Sequence, residues 1–266
     1  MSNRYAFVTF IYPGIEKYFS YFIESLYKQS DTDFDLIVHN DGVEDVGKYF
    51  NSPSFPVKIV ESGKKDLFGM RIWTFDYCLK NGYTHLILGD SDDYFASNRI
   101  EVNKELLIKY DIVVNDISLV NSDGVIYETR VFSRRIYHNS LISFADIADY
   151  NFIGFTNSAF SIEALKFFNA CSTNSKVVDW FFFSILLLKG KSMIFTTDTV
   201  SFYRQHESNI AGLRYFNEDL DIEKQEILNN IKRVHNASIA KFKNQNIEST
   251  YDMSNIIKKI KFWWEN

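Results

Sequence analysis

The chain has 266 residues, 46% hydrophobic and 24% charged, with 25 Phe, 16 Tyr and only 3 Pro. That length suits one large domain or one domain with a small appendage, and the composition excludes a disordered or low-complexity chain. A formal net charge of -5 speaks against a general nucleic-acid binder, which carries a basic face.

The opening "MSNRYAFVTFIYPG" has a single Arg, a short apolar run and then Pro13-Gly14. It reads as a first strand and a turn, not as a secretory signal. After it, "GIEKYFSYFIESLYKQS" places apolar residues at 15, 18, 19, 22, 23, 26 and 27, which is helical spacing. "DFDLIVHNDG" (33–42) is a second strand and "PVKIVES" (56–62) a third. "FGMRIWTFDYCLKNG" (68–82) has helical periodicity and stops at Asn81-Gly82, a C-terminal cap signal. "THLILGD" (84–90) is a fourth strand, 98–110 a helix and "DIVVNDISLV" (111–120) a further strand. The strands are apolar throughout rather than alternating, the pattern of a mostly parallel sheet covered on both faces. The predicted class is therefore α/β. In such sheets ligands bind beyond the carboxyl ends of the strands.

The second half is less regular. Strands are predicted at 125–132 and 158–162, helices near 163–170 and 179–189, and two further strands in "SMIFTT" and "VSFYRQH". Residues 217–245 read as one long helix with a polar face. The most apolar segment, "WFFFSILLLKG" (180–190), is far shorter than the ~20 residues that span a bilayer. Cys78 and Cys171 lack metal-ligand spacing and read as buried thiols of a reducing compartment, so the expected location is the cytoplasm.

Candidate chemistry collects at strand ends. "LILGDSDDYF" puts Asp90, Asp92 and Asp93 directly after a buried strand. Paired carboxylates there suit Mg²⁺ or Mn²⁺, which take oxygen ligands and often only one or two from protein; the alternative is a solvated acidic turn. Asp41 ends "LIVHNDG" and is either an Asp-Gly turn or a base or ribose contact. Asp179 heads an apolar helix. It is either a first-turn acid set against the helix dipole or a carboxylate desolvated into a useful general base. His206 stands with Arg204, Gln205 and Asn209 before a glycine, either as structure or as a cluster closing over a phosphate.

These segments, in this order, resemble the inverting family 2 glycosyltransferases of the GT-A fold over residues 4 to 212. "FVTFIYPG" resembles the first strand and nucleotide loop, with Thr9 and Tyr12 on the donor side. "LIVHNDG" resembles the second-strand acid that meets the donor base, which maps to Asp41. "THLILGDSDD" resembles the DxD segment, with Asp90 and Asp92 in its acidic positions and Ser91 between them. "NSAFSI" resembles the acceptor-side strand, and "VVDWFFFSILLLKG" the helix whose first acid is the catalytic base, Asp179. "SFYRQHESNIAG" resembles the tyrosine-arginine-histidine segment, with Arg204 and His206 on the donor side.

The resemblance implies a GT-A-like domain over 1–212, with a donor half to about 120, an acceptor half beyond it and a helical extension over 213–266. It implies a nucleotide-diphosphate sugar donor, UDP- or dTDP-linked. Mn²⁺ or Mg²⁺ would be held by Asp92, Asp90 and His206, and Arg71 and Lys65 would add positive charge near the diphosphate. The implied acceptor is a glycan or lipid-linked hydroxyl in bacterial surface-polysaccharide assembly. Two departures stand out. Val178 occupies the place of a second acid before the base, and the Gln-x-x-Arg-Trp element of processive synthases is absent, which points to single additions. Lys258, Lys259 and Lys261 beside Trp263 and Trp264 are either an interfacial anchor to the inner face of the membrane or a helix packed on the domain. Two other readings stay open. A nucleotidyltransferase should carry a glycine-rich basic loop after the first strand, which "FIYPGIEKYF" lacks, and a non-catalytic nucleotide- or glycan-binding module would not require the acids.

Overall fold

The computed structural model describes residues 3–64, 66–167, 177–206 and 221–244. The donor half builds β1 (Tyr5–Ile11), α1 (Glu16–Tyr27), β2 (Asp35–Asn40), β3 (Val57–Val60), α2 (Leu67–Lys80), β4 (His85–Leu88), β5 (Tyr94–Phe95) and α3 (Arg99–Leu107). The acceptor half builds β6 (Ile112–Val120), β7 (Ile126–Glu128), β8 (Leu141–Ile142), α4 (Phe144–Ile147), β9 (Ser158–Ser161), α5 (Val178–Leu188) and β10 (Met193–Arg204). Helix α6 (Asp221–Asn244) follows.

The strands form one sheet in the order β3-β2-β1-β4-β9-β6-β10-β5, with β7 on β6 and β8 on β10. Strands β3, β2, β1 and β4 are parallel. Strand β9 enters antiparallel between β4 and β6, and β6 and β10 are again parallel. The class and the layered architecture are those predicted.

Both faces of the sheet are covered. On one, Phe19, Phe22 and Leu26 of α1 and Ile100 of α3 pack with Phe7, Leu36 and Val113 of the strands. On the other, Phe75 and Cys78 of α2 and Phe182, Ile185 and Leu186 of α5 pack with Val8, Leu86 and Phe160. Removing these large apolar side chains from water is the main force holding the layers together. Cys78 is a buried free thiol, and burial pushes its pKa up to about 12; Cys171 lies outside the described residues.

Three local predictions change. The strand over 125–132 shrinks to β7, because the chain turns at Arg130, which has a positive φ of 50°, into a short 3-10 turn at Phe132–Arg134. The helix near 163 is a 3-10 turn, Ile162–Phe167, as far as it is described. The two strands read in "SMIFTT" and "VSFYRQH" are one, β10. Its partner on β6 steps from Asn115 at Thr196 to Asp116 at Val200, so Thr197, Asp198 and Thr199 bulge out between them.

Candidate active site

Strands β1, β2 and β4 deliver their carboxyl ends to one edge, and the site is built there. Beyond β4 the chain turns at Gly89. A Cβ at that position would stand 2.5 Å from Phe95 Cζ and 2.6 Å from Phe7 Cζ, so only glycine passes beneath the two rings. The three aspartates that follow face three ways.

Asp90 faces Arg71 of α2, whose guanidinium nitrogen is 3.6 Å from Oδ1. Burial raises the Asp90 pKa, and the Arg71 charge opposes that rise. Arg71 itself lies between two phenyl faces, 4.1 Å from the Phe10 ring centre and 4.6 Å from that of Phe155. Such sandwiching holds a guanidinium flat and limits its rotamers. Burial lowers the Arg71 pKa, and the carboxylates of Asp90, Asp179 and Asp92 oppose that.

Asp92 faces His206, with Oδ2 and Nε2 2.9 Å apart. The imidazole stacks on Tyr18 of α1 at 4.9 Å between centroids and 19° between planes. Asp93 faces inward and is wholly buried. Its carboxylate accepts from the Arg204 backbone N–H at 2.7 Å and from the Thr156 hydroxyl, joining the β4 turn, the end of β10 and the turn before β9. Burial raises its pKa, and the neighbouring acids Asp92 and Asp90 add to that.

Tyr12, at the end of β1, is 42% exposed. Partial burial, and then the charges of Asp92, Asp90 and Asp93, raise its pKa. Asp41 is exposed past β2, its N–H donating to the Ile11 carbonyl at 2.9 Å. Below it His39 is buried, 2.6 Å from the Thr74 hydroxyl and stacked on Phe10.

Asp179 lies in the first turn of α5. Its Oδ1 accepts from the Trp180 backbone N–H at 2.7 Å and from the Asn151 amide at 3.3 Å. Burial raises its pKa to about 7; those two donors and the Arg71 charge oppose the rise, and the Asp90 charge adds to it. A carboxyl so tuned exchanges a proton near neutral pH, as a general base needs. Arg71 is the electrostatic link between Asp179 and the acids of the β4 turn.

The predicted set thus divides. Tyr12, Arg71, Asp90, Asp92 and His206 meet around one edge, with Asp179 joined through Arg71. Three members turn inward. Thr9 is wholly buried on β1 with its hydroxyl unpartnered, between Phe7 and Ile11, which pack toward α1. Ser91 is buried, and its hydroxyl donates to the Phe10 carbonyl at 2.7 Å. Arg204 is buried against Tyr18 and Tyr21 of α1 and Tyr94 of β5. Its guanidinium donates to the carbonyls of Asp92, Asn121 and Ser122. All three are buried, and Ser91 and Arg204 hold neighbouring backbone carbonyls. Lys65 and the Lys-Trp tail at 258–264 lie outside the described residues.

Two members were not singled out beforehand. Arg99 is buried at the start of α3 beneath the acids and donates to the Leu88 carbonyl at 2.6 Å. Burial pushes its pKa down to about 9, while Asp93 and Asp90 hold it up. Asn151 touches Asp179 from a loop. Neither carries a local sequence signal: Arg99 sits in the polar run Ser97-Asn98-Arg99, and Asn151 is one loop asparagine among several.

Among the described residues no group of three or more His, Cys, Asp and Glu is placed to hold a metal ion. Of the predicted ligands, Asp92 stands 2.9 Å from His206, and Asp90 faces Arg71 at 3.6 Å. A carboxylate oxygen and an imidazole nitrogen 2.9 Å apart beyond the carboxyl end of β4 fit a divalent cation that would draw its other ligands from diphosphate and water.

No protein-family model matches the chain, and no curated protein does. Solved structures do. TarS 1–349 of S. aureus in complex with UDP-GlcNAc is 17% identical, with a TM-score of 0.62 over 94% of this chain and 68% of that one. The mannosyltransferase PcManGT from Pyrobaculum calidifontis, in complex with GDP-Man and Mn²⁺, is 12% identical, with a TM-score of 0.57 over 93% and 77%. GalNAc-T7 with UDP, GalNAc and Mn²⁺ is 10% identical, with a TM-score of 0.58 over 77% of this chain and 44% of that one. At these identities the likeness establishes the GT-A-like fold.

Proposed function

We propose that the protein is an inverting, metal-dependent glycosyltransferase that moves one sugar from a nucleotide-diphosphate sugar to an acceptor hydroxyl. The observation that carries this reading is the position of Asp179. A carboxyl poised near neutrality stands across Arg71 from an acid-histidine pair, on a fold shared with proteins solved holding UDP-GlcNAc or GDP-Man.

The donor lies across the ends of β1, β2 and β4, with its base toward Asp41 and Tyr12 and its diphosphate toward Asp90 and Asp92. Asp92 and His206 would hold the divalent ion, which when bound offsets the charge growing on the departing diphosphate. Arg71, held flat between Phe10 and Phe155, adds positive charge on the same side. Asp179 takes the proton of the acceptor hydroxyl through Oδ2, the oxygen with no donor from Trp180 or Asn151. The acceptor oxygen then bonds to the anomeric carbon as the bond to the diphosphate breaks. The configuration inverts, and no covalent sugar–protein intermediate forms. An inverting route needs one carboxylate of this kind, so Val178 beside it is no obstacle.

The sequence resemblance supports a UDP- or dTDP-linked donor, a glycan or lipid-linked acceptor of bacterial surface polysaccharide, single additions, and a catalytic domain over 1–212 working on the cytoplasmic side of the membrane. Among the described residues no helix is long and apolar enough to cross a membrane. The test is incubation with a panel of sugar nucleotides and acceptors in Mn²⁺ or Mg²⁺. Expected is release of nucleoside diphosphate with a product of inverted anomeric configuration by NMR. Retention of configuration, or pyrophosphate release from nucleoside triphosphates, overturns the reading.

A further inference from the structure

Segment 147–151 is fastened around the head of α5 from two sides. Trp180 donates its indole N–H to the Ile147 carbonyl at 2.7 Å. From α6, Lys232 reaches Asp149 at 2.6 Å and stands 5.9 Å over the Tyr150 ring, which Arg135 also faces at 5.6 Å. His235 of α6, wholly buried, stacks on Trp180 itself at 4.0 Å and 10°. The residue this bracket presents to the site is Asn151. Its amide donates to Asp179 Oδ1 at 3.3 Å, and its own carbonyl oxygen accepts from the Ile153 N–H at 3.2 Å.

Both side-chain polar ends of Asn151 are thus committed, one to Asp179 and one to the loop. Asp179 Oδ1 already takes the Trp180 N–H, so the amide is a second donor on the same oxygen and fixes the rotation of the carboxylate. The other oxygen looks toward Gly154, where a Cβ would lie 3.7 Å from Oδ2 and 3.4 Å from Asn157 Oδ1. A methyl there would touch Oδ2 at ordinary contact distance.

We infer that Asn151 is a positioning residue for Asp179, holding Oδ1 so that Oδ2 alone is offered to the acceptor hydroxyl. The inference rests on the reading of Asp179 as the general base. An N–H donor to a carboxylate favours its charged form, so the contact sets charge as well as direction. The charged groups that also face Asp179 are Asp90 from the β4 turn and Arg71 from α2.

Two variants separate positioning from loop support. Asn151→Ala loses both contacts. Asn151→Asp keeps an acceptor for the Ile153 N–H but replaces the donor to Asp179 with a like charge. The measurements are the pH dependence of transfer and the titration of Asp179 by NMR of carboxyl-¹³C aspartate, assigned with Asp179→Asn. Expected in both variants is an Asp179 titration raised by about one pH unit or more and a kcat at pH 7 lower by roughly tenfold, with donor KM little changed. Asn151→Asp should be no better than Asn151→Ala. A wild-type titration and pH profile in Asn151→Ala overturns the inference and leaves Asn151 a loop support. The titration is read without turnover. An Asp179→Asn protein that transfers at the wild-type rate instead removes the base reading, whatever Asn151 does.

Discussion

The acids of the β4 turn and the acid at the head of α5 are the same residue type in opposite settings. Asp90 faces a guanidinium and Asp92 an imidazole, while Asp93 is tied to a backbone N–H and a hydroxyl. Among the described residues Asp179 has neutral donors, the Trp180 N–H and the Asn151 amide, and an apolar helix behind it. Among these four acids only Asp90 faces a guanidinium; Asp93, like Asp179, is held by neutral donors but is tied into the framework at both oxygens, whereas Asp179 keeps Oδ2 clear of the donors that hold Oδ1. The two tasks proposed for these acids would then be separated by surroundings, and Arg71 is the group that both sides feel.

The sharpest test of that division is Asp179→Asn. Loss of a general base should lower transfer by about 10²- to 10⁴-fold, while binding of nucleoside diphosphate, followed by calorimetry, stays within about twofold of wild type. The same variant should be more stable at neutral pH. The folded-state pKa, near 7, is above the ordinary value of 3.8, so the folded protein holds this proton more tightly than the unfolded chain. Stability is therefore lost as pH rises from about 4 to about 7, by a few kcal/mol when complete. Asparagine has no such loss, and thermal unfolding at pH 7.5 should rise by roughly 5 °C. In wild type, kcat should climb through an acid limb near pH 7 and level off above it.

Next in size is the proposed metal-holding pair. Asp92→Ala, His206→Ala or excess EDTA should each reduce transfer by about 100-fold or more and abolish the gain in thermal stability that Mn²⁺ confers with nucleoside diphosphate. Full activity under EDTA would collapse the contrast from the donor side. Arg71→Met tests the link itself. It should lower transfer by roughly 10- to 100-fold and move the acid limb to higher pH, because the Arg71 charge holds the Asp179 pKa down. An unmoved limb would mean that the two regions do not sense each other. The smallest effect is expected from Gly154→Ala. Its φ of -95° suits alanine, so stability should change by less than about 1 kcal/mol. The added methyl narrows the approach to Oδ2, so kcat should fall by about two- to fivefold with the acid limb in place.

The donor half was the more legible in sequence because its information is local. Each apolar run of β1, β2 and β4 ends at a polar cluster, and chain order places these ends side by side in a parallel sheet. In the acceptor half the decisive pairings are distant. Nothing local in "NSAFSI" says that β9 runs antiparallel between β4 and β6. Nothing in "SMIFTTDTVSFYRQH" says that one strand crosses a three-residue bulge. Asp90, Asp92 and Asp179 were visible because an acid beside a buried run is unusual. Arg204 was visible too, but its burial beneath three tyrosines depends on α1 and β5, which lie far from it in the chain. Asn151 was invisible: an asparagine in a loop looks like any other until Asp179 is placed against it.

The bulge in β10 carries a consequence for how the gene can change length. Residues 197–199 are unmatched on β6, so an insertion or deletion there alters a segment already outside the ladder. From Val200 to Arg204 the strand is matched residue for residue with Asp116 to Val120. Side chains alternate between faces along a strand, so one residue added there would carry Arg204 off the tyrosines and His206 away from Asp92. The bulge lies off the β6 ladder but is held from its sides, by Asn98 on the Asp198 carbonyl and Arg130 on the Thr197 carbonyl, so a change of length there should cost less than one in the five matched residues after it. Scanning single-residue insertions along 193–206 should return a folded, active protein at the bulge and an inactive one past it.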